Sequence, residues 1–131
     1  MAPLSKFLLA APLLLLAACS LPDDAERLAQ QGLPPAGFVG SVDSGRQLYA
    51  RNCAACHGRL LNGSNQGPPL LHKIYQPGHH ADLAFYNAVK SGTRAHHWPF
   101  GDMPAQPQVS PKEAAHIIAY VRSRQQQAGI H

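Results

Sequence analysis

Residues 53–57 of the chain read Cys-Ala-Ala-Cys-His, and the rest of the sequence is best interpreted outward from this stretch. Residues three apart on a helical turn share a face, so the side chains of Cys53 and Cys56 lie on the same side. His57 follows directly and adds an imidazole beside the two thiols. The two alanines between the cysteines leave space and supply no competing ligand. The stretch therefore offers two sulfurs and one metal-binding nitrogen to a single group.

A C-x-x-C-H pattern is typical of the covalent attachment of one c-type haem. Cys53 and Cys56 can both reach the two vinyl groups of one porphyrin, and His57 can bind the iron as the proximal ligand. Three other interpretations remain open. A thioredoxin-like redox pair requires a preceding strand, and no strand pattern precedes the motif. A zinc site needs two further ligands, and a disulfide between the cysteines leaves His57 without a role.

Length and composition indicate one small globular domain. The chain has 131 residues, of which 45% are hydrophobic and 14% are charged, so it is too apolar to be disordered. Three cysteines exclude a disulfide-stapled scaffold. The basic and acidic residues are dispersed, with a net charge of +4. This pattern disfavours nucleic acid as a partner, whereas a basic surface can steer association with an acidic redox protein.

The N-terminus carries an export signal that is excluded from the fold. Residues 1–18 contain a positive charge at Lys6 and an apolar stretch over residues 7–18, which is too short to cross a ~30 Å hydrocarbon core. Residues 16–19, Leu-Ala-Ala-Cys, resemble the lipobox of bacterial lipoproteins. That resemblance implies cleavage before Cys19 and acylation of its thiol, which holds the protein on a membrane. The alternative is an ordinary secretory signal with an incidental cysteine.

Residues 19–41 are predicted to form a flexible, lipid-anchored tether, and residues 42–131 the folded domain. The tether contains several prolines and no sustained periodicity, although a brief helix over residues 24–31 is possible. A domain of about 90 residues has a marginal core of its own. A large apolar cofactor is therefore expected to complete it. We expect the protein on the periplasmic side of a bacterial cell envelope, as a membrane-anchored lipoprotein.

Helical signals flank the cysteine motif on both sides. Apolar spacing predicts a helix over residues 44–52, with Asp43 or Ser44 as its N-cap. A C-terminal helix is predicted from a capping box between Ser110 and Glu113, with proline at its first position. Between them, residues 82–90 are predicted to form a helix that Gly92 ends. The residues expected on the inner face of this middle helix are Leu83, Tyr86 and Val89.

From about Val42 to Gln127 the chain resembles a class I cytochrome c. The resemblance implies an all-α fold of three to five helices around one covalently bound haem c, with the N- and C-terminal helices crossing closely. Gly45 would allow that approach, with Tyr49 and Tyr120 packed near the crossing.

The same resemblance assigns further site residues. Gly67-Pro68-Pro69-Leu70 is similar to a turn of the family in which a proline carbonyl accepts a hydrogen bond from the proximal imidazole, and Pro68 is the matching position. Met103, in a Gly- and Pro-rich loop, matches the methionine that binds the iron opposite the histidine. Trp98 is expected to pack at the haem edge, where its N–H reaches a propionate or a backbone acceptor.

The histidine pairs His79-His80 and His96-His97 depart from an ordinary small cytochrome. We expect them to be exposed or to lie near the propionates. A copper or zinc site is one alternative, and it requires further ligands. Bis-histidine ligation of the haem iron is another alternative. The sequence alone does not explain them.

The resemblance implies a carrier that relays electrons between periplasmic or membrane partners of a respiratory chain. These partners would be a membrane dehydrogenase or cytochrome complex and a terminal oxidase or reductase. With both axial positions filled, no substrate reaches the iron without displacing Met103, which argues against an enzyme. The alternatives are a haem-based gas sensor, a copper-handling cytochrome that uses the histidine-rich loops, and a cytochrome subunit fixed to an oxidoreductase complex.

Overall fold

The computed structural model describes residues 22–131, and this part of the chain is all-α. Residues 1–18 and Cys19, predicted to be the signal and the lipidation site, lie outside the described range. Within that range no helix is long and apolar enough to cross a membrane. The same residues form no β-strand, and their one β-bridge joins Thr93 to Met103. The helices are α1 (Asp24–Gln30), α2 (Val42–Asn52), α3 (Ala54–His57), α4 (Asp82–Ser91) and α5 (Pro111–Gln127), with a 3₁₀ turn at Lys73–Tyr75.

Helix α2 begins earlier than the sequence predicts. Its N-cap is Ser41, whose hydroxyl accepts a hydrogen bond from the Ser44 amide at 3.3 Å. Neither Asp43 nor Ser44 is the cap, because both already lie inside the helix. The Ser41 amide also donates to Nδ1 of His116 on α5 at 2.7 Å. This tertiary contact, which has no signal in the local sequence, fixes the start of the helix against α5.

Helices α2 and α5 cross closely at Gly45, as expected. A Cβ atom at this position would overlap the backbone carbonyl oxygen of His116 and lie 2.8 Å from Cβ of Tyr120. Only a residue without a side chain fits between the two backbones. The rings of Tyr49 and Tyr120 pack beside this point, with centroids 5.5 Å apart. The crossing forms the centre of the core, which buries Leu48, Tyr49, Leu61, Leu70, Val109, Ala114, Ile117, Tyr120 and Val121.

Helix α5 begins at the predicted capping box. The Ser110 hydroxyl accepts from the Glu113 amide at 3.3 Å, and the Glu113 carboxylate accepts from the Ser110 amide at 2.9 Å. The Ser110 hydroxyl also donates to the same carboxylate at 2.8 Å. The hydrogen bonds that the amide and the hydroxyl of Ser110 donate to the carboxylate lower the pKa of Glu113. Pro111 occupies the first turn, where its missing N–H costs nothing.

Helix α4 ends at Gly92 as predicted, but its inner face differs in one residue. Phe85, Tyr86 and Val89 pack against the core, whereas Leu83 is 53% exposed. The expectation for Leu83 was therefore wrong. Residues two apart on a helix lie about 200° apart around its axis, so Leu83 faces away when Phe85 faces inward. The Arg122 guanidinium of α5 lies 4.7 Å above the Phe85 ring and holds this orientation.

The end of the segment predicted as a flexible tether makes contacts with the folded domain. The Phe38 ring meets the His116 ring edge-on at 5.3 Å, and Lys112 lies over its face. Gly40 runs so close to α5 that a Cβ there would overlap the Ala115 carbonyl oxygen. Helix α1 contacts α4 through a hydrogen bond from Lys90 to the Gln30 carbonyl. The described part of this segment thus packs on α4 and α5, through contacts that its proline content does not indicate.

Candidate cofactor site

The cysteine motif lies where the α2 helix is interrupted. Cys53 leaves helical geometry with φ −124° and ψ −31°, and α3 begins at the next residue. The amides of Cys56 and His57 both donate to the Cys53 carbonyl, at 3.2 and 2.9 Å, which closes a single turn. The three residues line one common cavity. The structure therefore brings both predicted thiols and the predicted imidazole to the same place.

The two thiols differ in their surroundings. Cys53 is half-buried, and burial together with the nearby Cys56 raises its pKa to about 11. Cys56 is exposed, with its Sγ 3.7 Å from Oε1 of Gln66. Both are free thiols rather than a disulfide. At neutral pH the Cys53 sulfur is therefore an uncharged thiol, and a thioether, which is also uncharged, suits the same half-buried position.

The imidazole of His57 is held in one orientation. Its Nδ1 donates a hydrogen bond to the Pro68 carbonyl oxygen at 3.0 Å. Because a carbonyl only accepts, Nδ1 carries the proton and Nε2 keeps its lone pair. Burial lowers the pKa of His57, and the hydrogen bond to Pro68 opposes this in part. The neutral imidazole with a free Nε2 is the form that binds a metal.

Met103 reaches the same cavity from a loop that is closed at its base. The amide of Thr93 donates to the Met103 carbonyl at 2.9 Å, and the Met103 amide donates to the Thr93 carbonyl at 2.8 Å. Gly92 just before this pair has φ +76°, and a Cβ there would crowd the Met103 carbonyl oxygen. Met103 is half-buried and lines the cavity. The sequence indicated Met103 but carried no signal for its pairing with Thr93.

Trp98 also lines the cavity, and its indole N–H has no backbone acceptor. Nε1 of Trp98 is buried and makes no hydrogen bond to any residue of the described range. Burial raises the pKa of the Tyr75 hydroxyl and the nearby indole lowers it in part, but that contact does not have hydrogen-bond geometry. The Trp98 ring is fixed edge-on against His72, with centroids 5.1 Å apart. A buried N–H left unpaired is costly, so an acceptor on a bound group fits this position.

The cavity suits a large and mostly apolar group. Its volume is about 450 Å³, within the range of small-molecule sites. It combines an apolar wall with a basic residue, Arg94, and the unpaired indole N–H. A porphyrin needs apolar walls for its ring and polar groups for its carboxylates, so haem c fits the donor set. The apolar wall includes Leu70, Phe85, Val89, Val109, Ile117 and Val121.

Three of the unexplained histidines lie at the same cavity. His80, His96 and His97 are among its lining residues, and His96 and His97 are exposed. Partial desolvation and the charges of neighbouring imidazoles lower the pKa of His97. In the sequence these histidines belong to two adjacent pairs, His79-His80 and His96-His97. Their convergence depends on the approach of two loops and is visible only in the structure.

Comparisons with known proteins agree with this geometry. The family profile described as "Cytochrome c" matches residues 42–125. The c-type cytochrome XoxG from Methylobacterium extorquens AM1 superposes with a TM-score of 0.54 at 25% identity over 66% of this chain, which spans only 52% of the XoxG chain. Cytochrome CL from the marine methylotrophic bacterium Methylophaga aminisulfidivorans MPT gives a TM-score of 0.53 at 23% identity, covering 82% of this chain and 70% of its own. The curated proteins contain no significant match.

Proposed function

The chain belongs to the cytochrome c family, and on this basis we propose that it is a lipid-anchored, single-haem electron carrier with His57 and Met103 as iron ligands. The family and the fold establish the general part, a small all-α c-type cytochrome that carries covalent haem c and transfers electrons. The number of haems, the axial ligands, the partners and the membrane anchor are the proposal.

Bound haem c supplies an iron centre that cycles between the ferrous and ferric states. The residues of this chain hold and tune it. Cys53 and Cys56 supply sulfurs for two thioether links from one helical turn. Pro68 keeps Nε2 of His57 available by accepting the Nδ1 proton. His57 lines the same cavity as both cysteines and keeps Nε2 free, and this is the observation that carries the proposed His57 ligation.

Met103 is proposed as the second axial ligand. It lines the same cavity as His57, and the paired hydrogen bonds with Thr93 fix its backbone. A thioether is a soft, neutral donor that raises the reduction potential relative to a second imidazole. If Met103 held the iron, an external ligand would have to displace it, which would suit electron transfer better than catalysis or gas sensing.

The partners are proposed to be redox proteins of the bacterial envelope. A membrane dehydrogenase or cytochrome complex would supply electrons, and a terminal oxidase or reductase would accept them. From Val42 onward the chain has nine Lys and Arg residues against four Asp and Glu residues, a balance that favours an acidic docking face on the partner. Acylation of Cys19 would keep the carrier on the periplasmic side of a membrane.

Replacing Met103 by alanine tests the proposed function. Met103→Ala is expected to retain covalent haem, because both thioether links remain. It should lose low-spin His/Met absorption, bind carbon monoxide rapidly when reduced, and show a lower potential within the ~0.8 V range that axial ligands span. Absorption spectroscopy and a redox titration measure these changes.

Pro99→Ala provides a matched control, since Pro99 is exposed in the same loop. It should keep the spectrum and the potential of the unmodified protein. Unchanged spectra and potential in Met103→Ala would remove Met103 from the iron. Rapid carbon monoxide binding by the unmodified reduced protein would instead favour a gas sensor.

A further inference from the structure

Four histidines form a cluster at the cavity, which we name the histidine cluster: His79, His80, His96 and His97. Two come from the turn before α4 and two from the loop between Thr93 and Met103. The ring of His97 lies 5.4 Å from that of His79, 5.2 Å from that of His80 and 4.2 Å from that of His96, measured between centroids. The two adjacent pairs, unexplained as sequence, therefore form one set of imidazoles.

Three members of the cluster have the geometry of a metal site. One ring nitrogen from each of His79, His80 and His97 lies within 4.8 Å of the other two. A metal–imidazole bond is about 2.0–2.1 Å, so two nitrogens on one ion are at most ~4.2 Å apart. The side chains of His79 and His97 are both exposed to solvent. A movement of each ring nitrogen by less than about 1 Å would bring all three within bonding distance of a single ion.

His80 already has the hydrogen bond expected of a metal ligand. Its Nδ1 donates to the carbonyl oxygen of Ile74 at 2.7 Å. Because the carbonyl only accepts, Nδ1 is protonated and the lone pair lies on Nε2. A ligating histidine usually donates its other ring N–H to such a carbonyl, which sets the ring orientation. His96 makes a similar bond to Arg94, but it lies outside the set of three.

The backbone that carries these histidines is held on both sides. The amides of His79 and His80 both donate to the Gln76 carbonyl, at 3.0 and 2.9 Å. Arg122 of α5 donates to the His80 carbonyl and pairs with Asp82 at 2.8 Å. A site on anchored backbone loses less freedom when an ion binds.

The opposite loop is anchored as well. The two Thr93–Met103 hydrogen bonds close its base, and the Ala95 amide donates to Oδ1 of Asp102 at 2.8 Å across it. His97 therefore approaches the His79-His80 turn from a loop of defined shape.

We propose that His79, His80 and His97 bind a divalent transition-metal ion, Cu²⁺ in preference to Zn²⁺, at a site separate from the haem iron. Neutral imidazole nitrogens suit Cu²⁺ and Zn²⁺, whereas Ca²⁺ and Mg²⁺ require oxygen ligands. Imidazole sites follow the order in which Cu²⁺ binds more tightly than Zn²⁺. Three protein ligands leave at least one position for water.

Calorimetric titration of the ferric holoprotein with copper(II) chloride, and separately with zinc chloride, tests this site. We expect the protein to bind about one Cu²⁺ per chain. Zn²⁺ should bind to the same site with lower affinity, and Cu²⁺ should displace it. Loss of one residue that hydrogen-bonds a metal ligand already lowers metal affinity by ~10–100-fold. The variant that lacks all three ligands, His79→Ala/His80→Ala/His97→Ala, should therefore bind Cu²⁺ more than ~100-fold more weakly. Electron paramagnetic resonance should show nitrogen ligands on Cu²⁺ in the unmodified protein.

His131→Ala is the matched control, since this histidine is exposed at the C-terminus, and it should bind Cu²⁺ like the unmodified protein. His96→Ala should also bind Cu²⁺, with an affinity within a few-fold of that of the unmodified protein. Three results would overturn the proposal. These are unchanged binding by the triple variant, loss of binding in His131→Ala, or an altered ferric haem spectrum in the triple variant, which would make a cluster histidine an iron ligand.

Discussion

Replacing Cys53 and Cys56 together by alanine is expected to abolish covalent haem attachment completely. The thioether links need both sulfurs, and among residues 22–131 these are the two cysteines. His57 and the apolar wall remain, so haem can still enter the cavity without a covalent bond. Acid–acetone extraction should then remove all the pigment from the double variant and none from the unmodified protein. Mass spectrometry of the denatured chain gives the same comparison.

Cys19→Ser separates the roles of the three cysteines. This variant should keep covalent haem, since Cys19 precedes the matched family region at residues 42–125. It should be released from membranes without detergent, because the acyl chains are absent. Covalent haem in the double variant would contradict the assignment of Cys53 and Cys56. A Cys19→Ser protein that stays on the membrane would contradict the lipid anchor alone.

The second large effect is expected from Gly45→Ala in α2. Helix propensity alone predicts stabilisation by about 1 kcal/mol, because alanine is the better helix former. The structure predicts the reverse, since the new Cβ would overlap the His116 carbonyl oxygen, which belongs to backbone and cannot rotate away. Overpacking of this kind costs about 3 kcal/mol or more. For a domain of this size that corresponds to a fall in melting temperature on the order of 10–20 °C.

Gly78→Ala is a suitable control for this measurement. Gly78 has open space around its Cβ position and its φ is not positive. Its substitution should change the free energy of unfolding by less than about 1 kcal/mol, in the stabilising direction. Thermal unfolding of the two holoprotein variants, followed by far-UV circular dichroism, makes the comparison. Equal melting temperatures for Gly45→Ala and the unmodified protein would show that α2 and α5 do not approach as closely as described.

The helical elements were largely readable from local sequence. The capping box at Ser110 and Glu113 and the stop at Gly92 depend on residues a few positions apart, and both are present as predicted. The start of α2 was misplaced because His116, distant in sequence, helps to fix Ser41. The exposed position of Leu83 was missed because apolar spacing does not reveal which of two adjacent faces α5 covers.

The cofactor site also has some features that the sequence predicted and others that only the structure shows. The motif at residues 53–57 places two thiols and an imidazole on one turn through local geometry alone, so it indicated the cofactor without a fold. The bond from His57 to Pro68 was expected from a family resemblance and spans eleven residues. The hydrogen bonds of Thr93 with Met103 carried no sequence signal, because they join two ends of an irregular loop.

The identity of the cofactor and the capping box of α5 were determined by short stretches of sequence, since each depends on neighbours within one or two turns. The N-cap of α2 and the need for glycine at residue 45 depend on His116 of α5, so the packing of the two helices decided them. The histidine cluster was decided only by tertiary structure. Its members belong to two loops, and their distance depends on how Arg122 and the Thr93–Met103 pair hold those loops in place. The local sequence determines which chemical groups stand side by side within a motif. The packing of the whole chain determines which distant side chains come together.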